Sequence, residues 1–527
     1  MEVMGYPFVN SSGELKENPV SRILSLLLLA CASLILIASV VNGINSLGGP
    51  FDSWVSADFA TMARSFWLIE QFPQNLVPVN NNPPWGSDPG PYTHWPPLFP
   101  IVSSLLVPRY GPAEAPLRLF AVILSLACAL LTAAIAWRSF GRIAGPVALI
   151  VTLTSNAVLR NATLVLHLKL AIVFMLASIL LLTFWLRQPD PKQKRRCLAA
   201  AALCVSLGAA SSWETAFVLP AIGVCAFFHP ELRTAFLVLS AAVILTFAAV
   251  VFLYAYAYPS LVNDLVQVMS YRMGFTTIYA GDMLHVNSFA AKAHLSRFWI
   301  HHTQQYLLRE AVGDPVALVG LLYLCVFAFL GFRKRLPFEQ TVVIATILSQ
   351  AVLWYIIFPN HAAIHPYQTL IFIPYFAIAA GSAADFIAAR IGDSRWMIPT
   401  ACLVVTGLVV ARSGALATQT REAIKHVSQP SNDNLYRFGL RIKEATPQAA
   451  VILTPEDSMV PVYYSERHVI RCVTPETLMK KIQRAREVFP GFPLYVAFHG
   501  SQASEFQHVL PSAPPAPVDG FMVQRVP

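Results

Sequence analysis

What most limits this sequence is a series of apolar runs, each long enough to cross a bilayer. Residues 23–41 form the first, longer than the apolar core of a signal peptide and followed by no convincing small-residue cleavage site. It reads as a retained anchor, with residues 1–20 in the cytoplasm. Further runs fall near 117–137, 146–158, 164–186, 198–212, 215–228, 235–257, 315–332, 340–358, 368–388 and 396–412. Window length therefore predicts about eleven helices and an all-α polytopic membrane protein.

Composition agrees. Hydrophobic residues make up 56% of the 527 and charged residues only 12%, against roughly 25% charged in soluble domains. Basic residues explain the +9 net charge by their placement, so it does not point to nucleic acid. Arg138 and Arg142, then Arg187, Lys192, Lys194, Arg195 and Arg196, then Arg333, Lys334 and Arg335, then Arg390 and Arg395 fall on alternate connections. That is the positive-inside pattern, and an odd number of spans puts the C-terminus outside. Seven of the eight cysteines sit in or beside apolar runs and only Cys472 in the polar tail, so no disulfide framework is indicated.

Two outer segments and the tail carry the remaining polar residues. The first outer loop, residues 45–116, contains Val55, Phe59, Met62, Phe66 and Ile69 at helical spacing. This predicts a helix along the membrane surface, capped near Ser53. A second outer loop spans 259–313. From 415 to 527 short apolar strands (450–453, 494–498, 521–526) alternate with helical stretches (435–445, 475–488), which predicts a small extracytoplasmic α/β domain. The transmembrane domain is then 21–412.

Within the first loop runs Pro91-Tyr92-Thr93-His94-Trp95-Pro96-Pro97-Leu98-Phe99-Pro100. Its prolines remove backbone donors and fix φ, and they push the preceding residues towards extended conformations. The result is a stiff strap presenting Tyr92, His94 and Trp95 at the membrane boundary. The run from Thr93 resembles the basic-residue-then-Pro-Pro-Leu signature of polyprenyl-phosphate-sugar-dependent membrane glycosyltransferases. These are the GT-C enzymes related to protein O-mannosyltransferases and to the aminoarabinose transferases of lipid A. The resemblance implies many helices, a lateral lipid-binding cavity and an outer soluble domain. It also implies transfer of a sugar from a polyprenyl-phosphate donor to an extracytoplasmic glycan, lipid or protein, in a bacterial inner membrane.

In that family the motif lies beside a catalytic carboxylate. Aligning Ala63-Arg64 and Phe59 with the family pattern leaves Val55 where the acid belongs, and Asp52 and Asp58 sit three residues to either side. Either aspartate could be the base; either could equally cap or solvate a helix end. Tyr92, His94, Trp95, Glu214, His361, His365 and Tyr367 are candidates for substrate contact, and Arg160, Lys169 and Arg272 for the donor phosphate. A structural pairing of Glu214 with Arg160 or Lys169 is the alternative for those residues. His361 and His365 have the i, i+4 spacing of a metal pair, but Pro366 disfavours a regular helix there. No metal site follows, and no cofactor is firmly indicated, a divalent cation being left open. Rival readings are a glycolipid transporter or flippase, and an inactive relative that binds a lipid-linked sugar.

Overall fold

The computed structural model describes residues 53–69, 76–85, 92, 94–108, 113–258, 261–273, 278–279, 284–285, 307–308, 312–332, 337–391, 434–456, 458–472, 474–499, 502 and 520–526. The predicted runs 23–41 and 396–412, Asp52, and most of the loop 259–313 lie outside these residues.

Helices α1 (Ser53–Leu68) and α2 (Leu98–Ser104) flank the proline strap. The bundle continues through α3 (Glu114–Phe140), α4 (Ala144–Leu153), α5 (Asn156–Asn161), α6 (His167–Arg187) and α7 (Pro191–Ser211). A 3-10 turn, Trp213–Val218, leads into α8 (Leu219–Phe228), followed by α9 (Leu232–Ala257) and α10 (Leu261–Arg272). After the short antiparallel pair β1 (Ile278–Tyr279) and β2 (Leu284–His285) come α11 (Asp314–Phe332), α12 (Phe338–Ile357) and α13 (Pro359–Ile364). A second 3-10 turn, Pro366–Phe372, opens α14 (Ile373–Ile391).

Among the described residues, five helical segments are long and apolar enough to cross a membrane: Glu114–Phe140, His167–Arg187, Leu232–Ala257, Phe338–Ile357 and Tyr367–Ile387. Ala144–Leu153, Trp213–Phe228 and Asp314–Phe329 are apolar but shorter. The expected eleven spans are not reached within the described residues. The run 146–158 is instead two short helices, because hydroxyls take over backbone acceptors at the break. Thr154 donates to the Ile150 carbonyl at 2.7 Å, Ser155 to that of Thr152 at 2.9 Å, and Ser155 then caps α5 by accepting from Val158 N–H. At the other end of α4, Gly141 adopts φ 141°, and a Cβ there would collide with the Asp385 carboxylate, which accepts from Ile143 N–H at 3.1 Å.

The tail forms the expected α/β unit: α15 (Asn434–Ala445), β3 (Val451–Thr454), α16 (Met459–Ser465), β4 (His468–Arg471), α17 (Pro475–Val488), β5 (Leu494–His499) and β6 (Phe521–Arg525). The sheet order is β4-β3-β5-β6, parallel except for the antiparallel β6. Pro475 at the first turn and the Thr474–Thr477 capping box start α17 where the sequence placed it. Sequence reading assigned neither α16 nor β4.

The first-loop helix departs from expectation. It is not a surface helix: Val55 through Ser65 is buried on every side. Its apolar side meets the bundle, where Phe59 packs edge-on to Phe99 with centroids 5.1 Å apart. Its polar side is covered by α16 rather than by water. Arg64 Nη1 donates to the Tyr463 carbonyl at 3.2 Å, its guanidinium lies 4.4 Å from the Tyr463 ring centroid, and the Tyr463 hydroxyl accepts from Ala113 N–H at 3.0 Å.

Within the tail domain Arg467 is the polar staple. Its guanidinium donates to the carbonyls of Lys443 (3.0 Å), Thr446 (2.9 Å) and Ser465 (3.2 Å), closing the end of α15 onto the α16–β4 turn. Arg467→Ala leaves these carbonyls without that donor and is expected to destabilise the protein by about 2–3 kcal/mol. Thermal unfolding of the detergent-solubilised chain checks this, and Arg467→Lys should recover little because an ammonium cannot reproduce the fork.

Candidate active site

The strap is the floor of the site, and its carbonyls decide who surrounds it. Pro96 and Pro97 carry no N–H, and the carbonyls before them need donors from elsewhere. Three distant elements supply them. Trp213 Nε1 and Arg272 Nη1 donate to the His94 carbonyl at 3.0 and 3.2 Å, and the Tyr254 hydroxyl donates to the Trp95 carbonyl at 2.7 Å.

Trp95 is the hub of the aromatic packing. Its ring stacks on His167 with centroids 3.9 Å apart, carries the Arg272 guanidinium at 4.0 Å on a face, and meets His361 edge-on at 5.2 Å. His361 lies 4.5 Å from His365, which stacks on Tyr367 at 5.0 Å and touches Trp54 at 5.5 Å. Tyr92 packs on His94 at 4.4 Å.

Asp58 closes the cluster from α1. Its carboxylate is 2% exposed and bonds the side chains of Asn80 and Tyr92. Burial, only partly offset by Arg471 and these bonds, pushes its pKa up to about 7. Tyr92 is held well above the usual phenol range by burial and by Asp58. Burial, with Arg272 next in weight, holds His94 well below the usual imidazole value and His365 down to about 3, so both rings are neutral at pH 7. Arg272 falls only to about 10 and remains a cation. The site thus pairs a carboxylate able to take a proton near neutrality with a permanent guanidinium.

Several buried polar atoms here lack a hydrogen-bond partner among the described residues: Asp58 Oδ1, His361 Nδ1, His365 Nδ1 and both nitrogens of His167. Such groups cost about 1–3 kcal/mol each when buried, so their concentration around one strap is a mark of a ligand-holding centre. Among the described residues no group of three or more His, Cys, Asp or Glu side chains is arranged to hold a metal.

The structure brings together most of the residues singled out in sequence. Asp58, Tyr92, His94, Trp95, Arg272, His361, His365 and Tyr367 form one cluster, and Glu214 joins it beneath Arg272 and beside Gln368. Asp52 lies outside the described residues. Of the other two expected phosphate contacts, Lys169 is engaged elsewhere. Arg160 is exposed at the end of α5. The Lys169 ammonium is buried and donates to the carbonyls of Asn161, Ala162 and Ala121, which ties the end of α5 to α6 and α3. A pairing of Glu214 with either cation is likewise not formed; Ser212 donates to Glu214, and Arg272 is its nearby charge. Missed in sequence were Asn80, Gln368 and, from the tail domain, Arg471. Nothing in their spacing marks them: Asn80 opens a short run of asparagines, Gln368 is one amide in a turn, and Arg471 ends a strand that was itself overlooked.

No protein-family model matches the sequence, and no curated protein does. Solved structures do. ArnT from Cupriavidus metallidurans in the apo state superposes with a TM-score of 0.59 at 13% identity, covering 96% of this chain and 98% of that one. The same protein bound to undecaprenyl phosphate gives 0.63 at 12%, covering 95% and 97%. Archaeal oligosaccharyltransferase AglB from Archaeoglobus fulgidus, in complex with an inhibitory peptide and a dolichol-phosphate, gives 0.60 at 12%, covering 92% and 70%.

The chain has the GT-C fold.

With both chains covered almost entirely in the ArnT match, this GT-C fold extends over bundle and tail domain together.

Asp58 yields a test that needs no substrate. Its proton is held more tightly in the folded protein than in the unfolded chain, whose carboxyl titrates near 3.8. At low pH both states are protonated and burial carries no electrostatic penalty. As pH rises from about 3.8 towards about 7 the unfolded chain ionises while the folded protein holds its proton, so stability falls, and it levels off once the folded carboxyl ionises. Asp58→Asn is therefore expected to be more stable than the wild type at pH 8, by on the order of 1–4 kcal/mol, with the gap closing towards pH 4. Thermal unfolding at both pH values decides it.

Proposed function

We propose that this protein is a membrane glycosyltransferase that moves a sugar from a polyprenyl-phosphate donor to an acceptor on the extracytoplasmic side, with Asp58 as the base. The observation that carries the reading is the Asp58 carboxyl, raised to about 7 and bonded to Tyr92, on which the Arg272 charge also bears, on a GT-C framework. The likeness to structures that hold undecaprenyl phosphate and a dolichol-phosphate supports the choice of donor class.

In this reading an acceptor hydroxyl or amine attacks the anomeric carbon while Asp58 takes its proton through the unpartnered Oδ1. The bond from that carbon to the phosphate oxygen breaks, and the lipid phosphate leaves with the bonding pair. Arg272 meets the departing charge, its position fixed by the His94 carbonyl and the Trp95 face. Neutral His94 and His365, with Tyr92 and Tyr367, shape the pocket and donate hydrogen bonds. Direct attack inverts the anomeric centre. Glu214 and Gln368 contact the sugar or hold Arg272 in register.

A base must be ionised to act, so the rate should rise with pH through about 7. With undecaprenyl-phosphate-linked sugars as donors, Asp58→Asn is expected to lose about 10²–10⁴-fold in turnover while still binding undecaprenyl phosphate. Full activity in this variant overturns the assignment.

The sidedness has its own test. Cys472 is fully buried and cannot report it, whereas Met479 on α17 is 49% exposed. In a cysteine-free background, Met479→Cys is expected to react with an impermeant thiol reagent added outside intact cells, and Lys194→Cys only after permeabilisation. The reverse labelling places the site on the cytoplasmic face.

A further inference from the structure

Three consecutive asparagines connect the tail domain to the first-loop carboxylate. The Asn80 side chain bonds Asp58. Asn81 makes a two-way exchange with Val469 on β4: its Nδ2 donates to the Val469 carbonyl at 2.9 Å, and its Oδ1 accepts from the Val469 N–H at 2.9 Å. Asn82 Nδ2 donates to the Val462 carbonyl at 2.8 Å, and His468 Nδ1 donates to the Asn82 carbonyl at 3.0 Å.

Arg471 ends the same strand, two residues beyond Val469. Side chains at that spacing leave a strand on one face, so the contact that fixes Val469 also fixes the direction of Arg471. Lys481 Nζ donates to the Arg471 carbonyl at 2.6 Å, and β4 pairs with β3 at Thr454. The Arg471 charge bears on both Asp58 and His94. Tyr92 bonds Asp58 directly; Arg272 and Tyr367 bear on Tyr92, and His365 on His94.

We propose that Arg471 is a positioning residue of the active site, delivered by the tail domain: docked through Asn81 and Asn82, it brings its charge to bear on the Asp58 carboxylate. Undocking would leave Asp58 buried without its cation, so catalysis is tied to the seating of a domain that carries no part of the reaction itself. This rests on the reading of Asp58 as base, but it is testable without turnover.

The full chain in lipid nanodiscs is titrated from about pH 5 to about pH 9 by infrared difference spectroscopy, following the protonated-carboxyl band that Asp58→Asn removes. The midpoint is expected near 7 in the wild type. Arg471→Gln should raise it by about one pH unit or more, an about fivefold loss of ionised carboxylate at pH 7. Arg471→Lys should restore most of the shift, which a purely structural loss would not. The Asn81→Ala, Asn82→Ala double variant should shift the midpoint as Arg471→Gln does. An unmoved midpoint in Arg471→Gln overturns the proposal; a shift there but none in the asparagine variant overturns the docking role. If Asp58→Asn transfers sugar normally while the shift is present, the base assignment alone falls.

Discussion

Where the chain passes from Trp95 to Leu98 it crosses two prolines, and the carbonyls of His94 and Trp95 are left facing a buried setting without local partners. A polar backbone group in such a place must find a donor or cost the fold its stability. Trp213, Tyr254 and Arg272 answer that requirement from positions 119, 159 and 178 residues away. Once they converge, the rest is constrained. Arg272 lies across Trp95, His167 stacks on the indole, His361 meets its edge, and His365 and Tyr367 extend the packing from there. The strap acts as a structural nucleus and as the floor of the site for one reason: rigid backbone with unmet acceptors draws polar side chains to itself.

The burial of α1 has the same dual character. Its polar side, with Asp58, Arg64 and Ser65, would suit water, but α16 and the asparagine loop cover it. Covering a carboxylate raises its proton affinity, and covering imidazoles lowers theirs. One act of packing therefore produces a basic carboxylate, neutral histidines and a guanidinium that stays charged. No individually exotic residue is required. The electrostatic character follows from exclusion of water by a domain that looks, taken alone, like a lid.

The sequence carried the architecture to a considerable depth. Apolar run length located the long helices, since a hydrocarbon layer sets a minimum span that can be counted along the chain. Prolines located the strap, and a capped Pro475 located α17 to the residue. Several members of the candidate cluster could be named as well: the resemblance of the proline strap pointed to Asp58, Tyr92, His94, His365 and Tyr367, and the polar outer loop to Arg272. Among the described residues the count of spans was not legible, because a run such as 146–158 keeps its apolarity across a break at Thr154 and Ser155, whose hydroxyls bond back to the preceding turn without lowering the hydrophobic average.

Tertiary structure alone decided which polar residues work together. Lys169 and Arg272 look alike in sequence, each a cation next to an apolar stretch; one is enclosed by carbonyls and the other lies on Trp95. The orientation of α1 was open for the same reason, since helical periodicity separates two faces without saying what covers each. Asn80, Gln368 and Arg471 became visible only through their neighbours. Periodicity and run length are properties of the chain read along itself, whereas a site is an agreement in space among residues hundreds of positions apart, and only packing sets that distance.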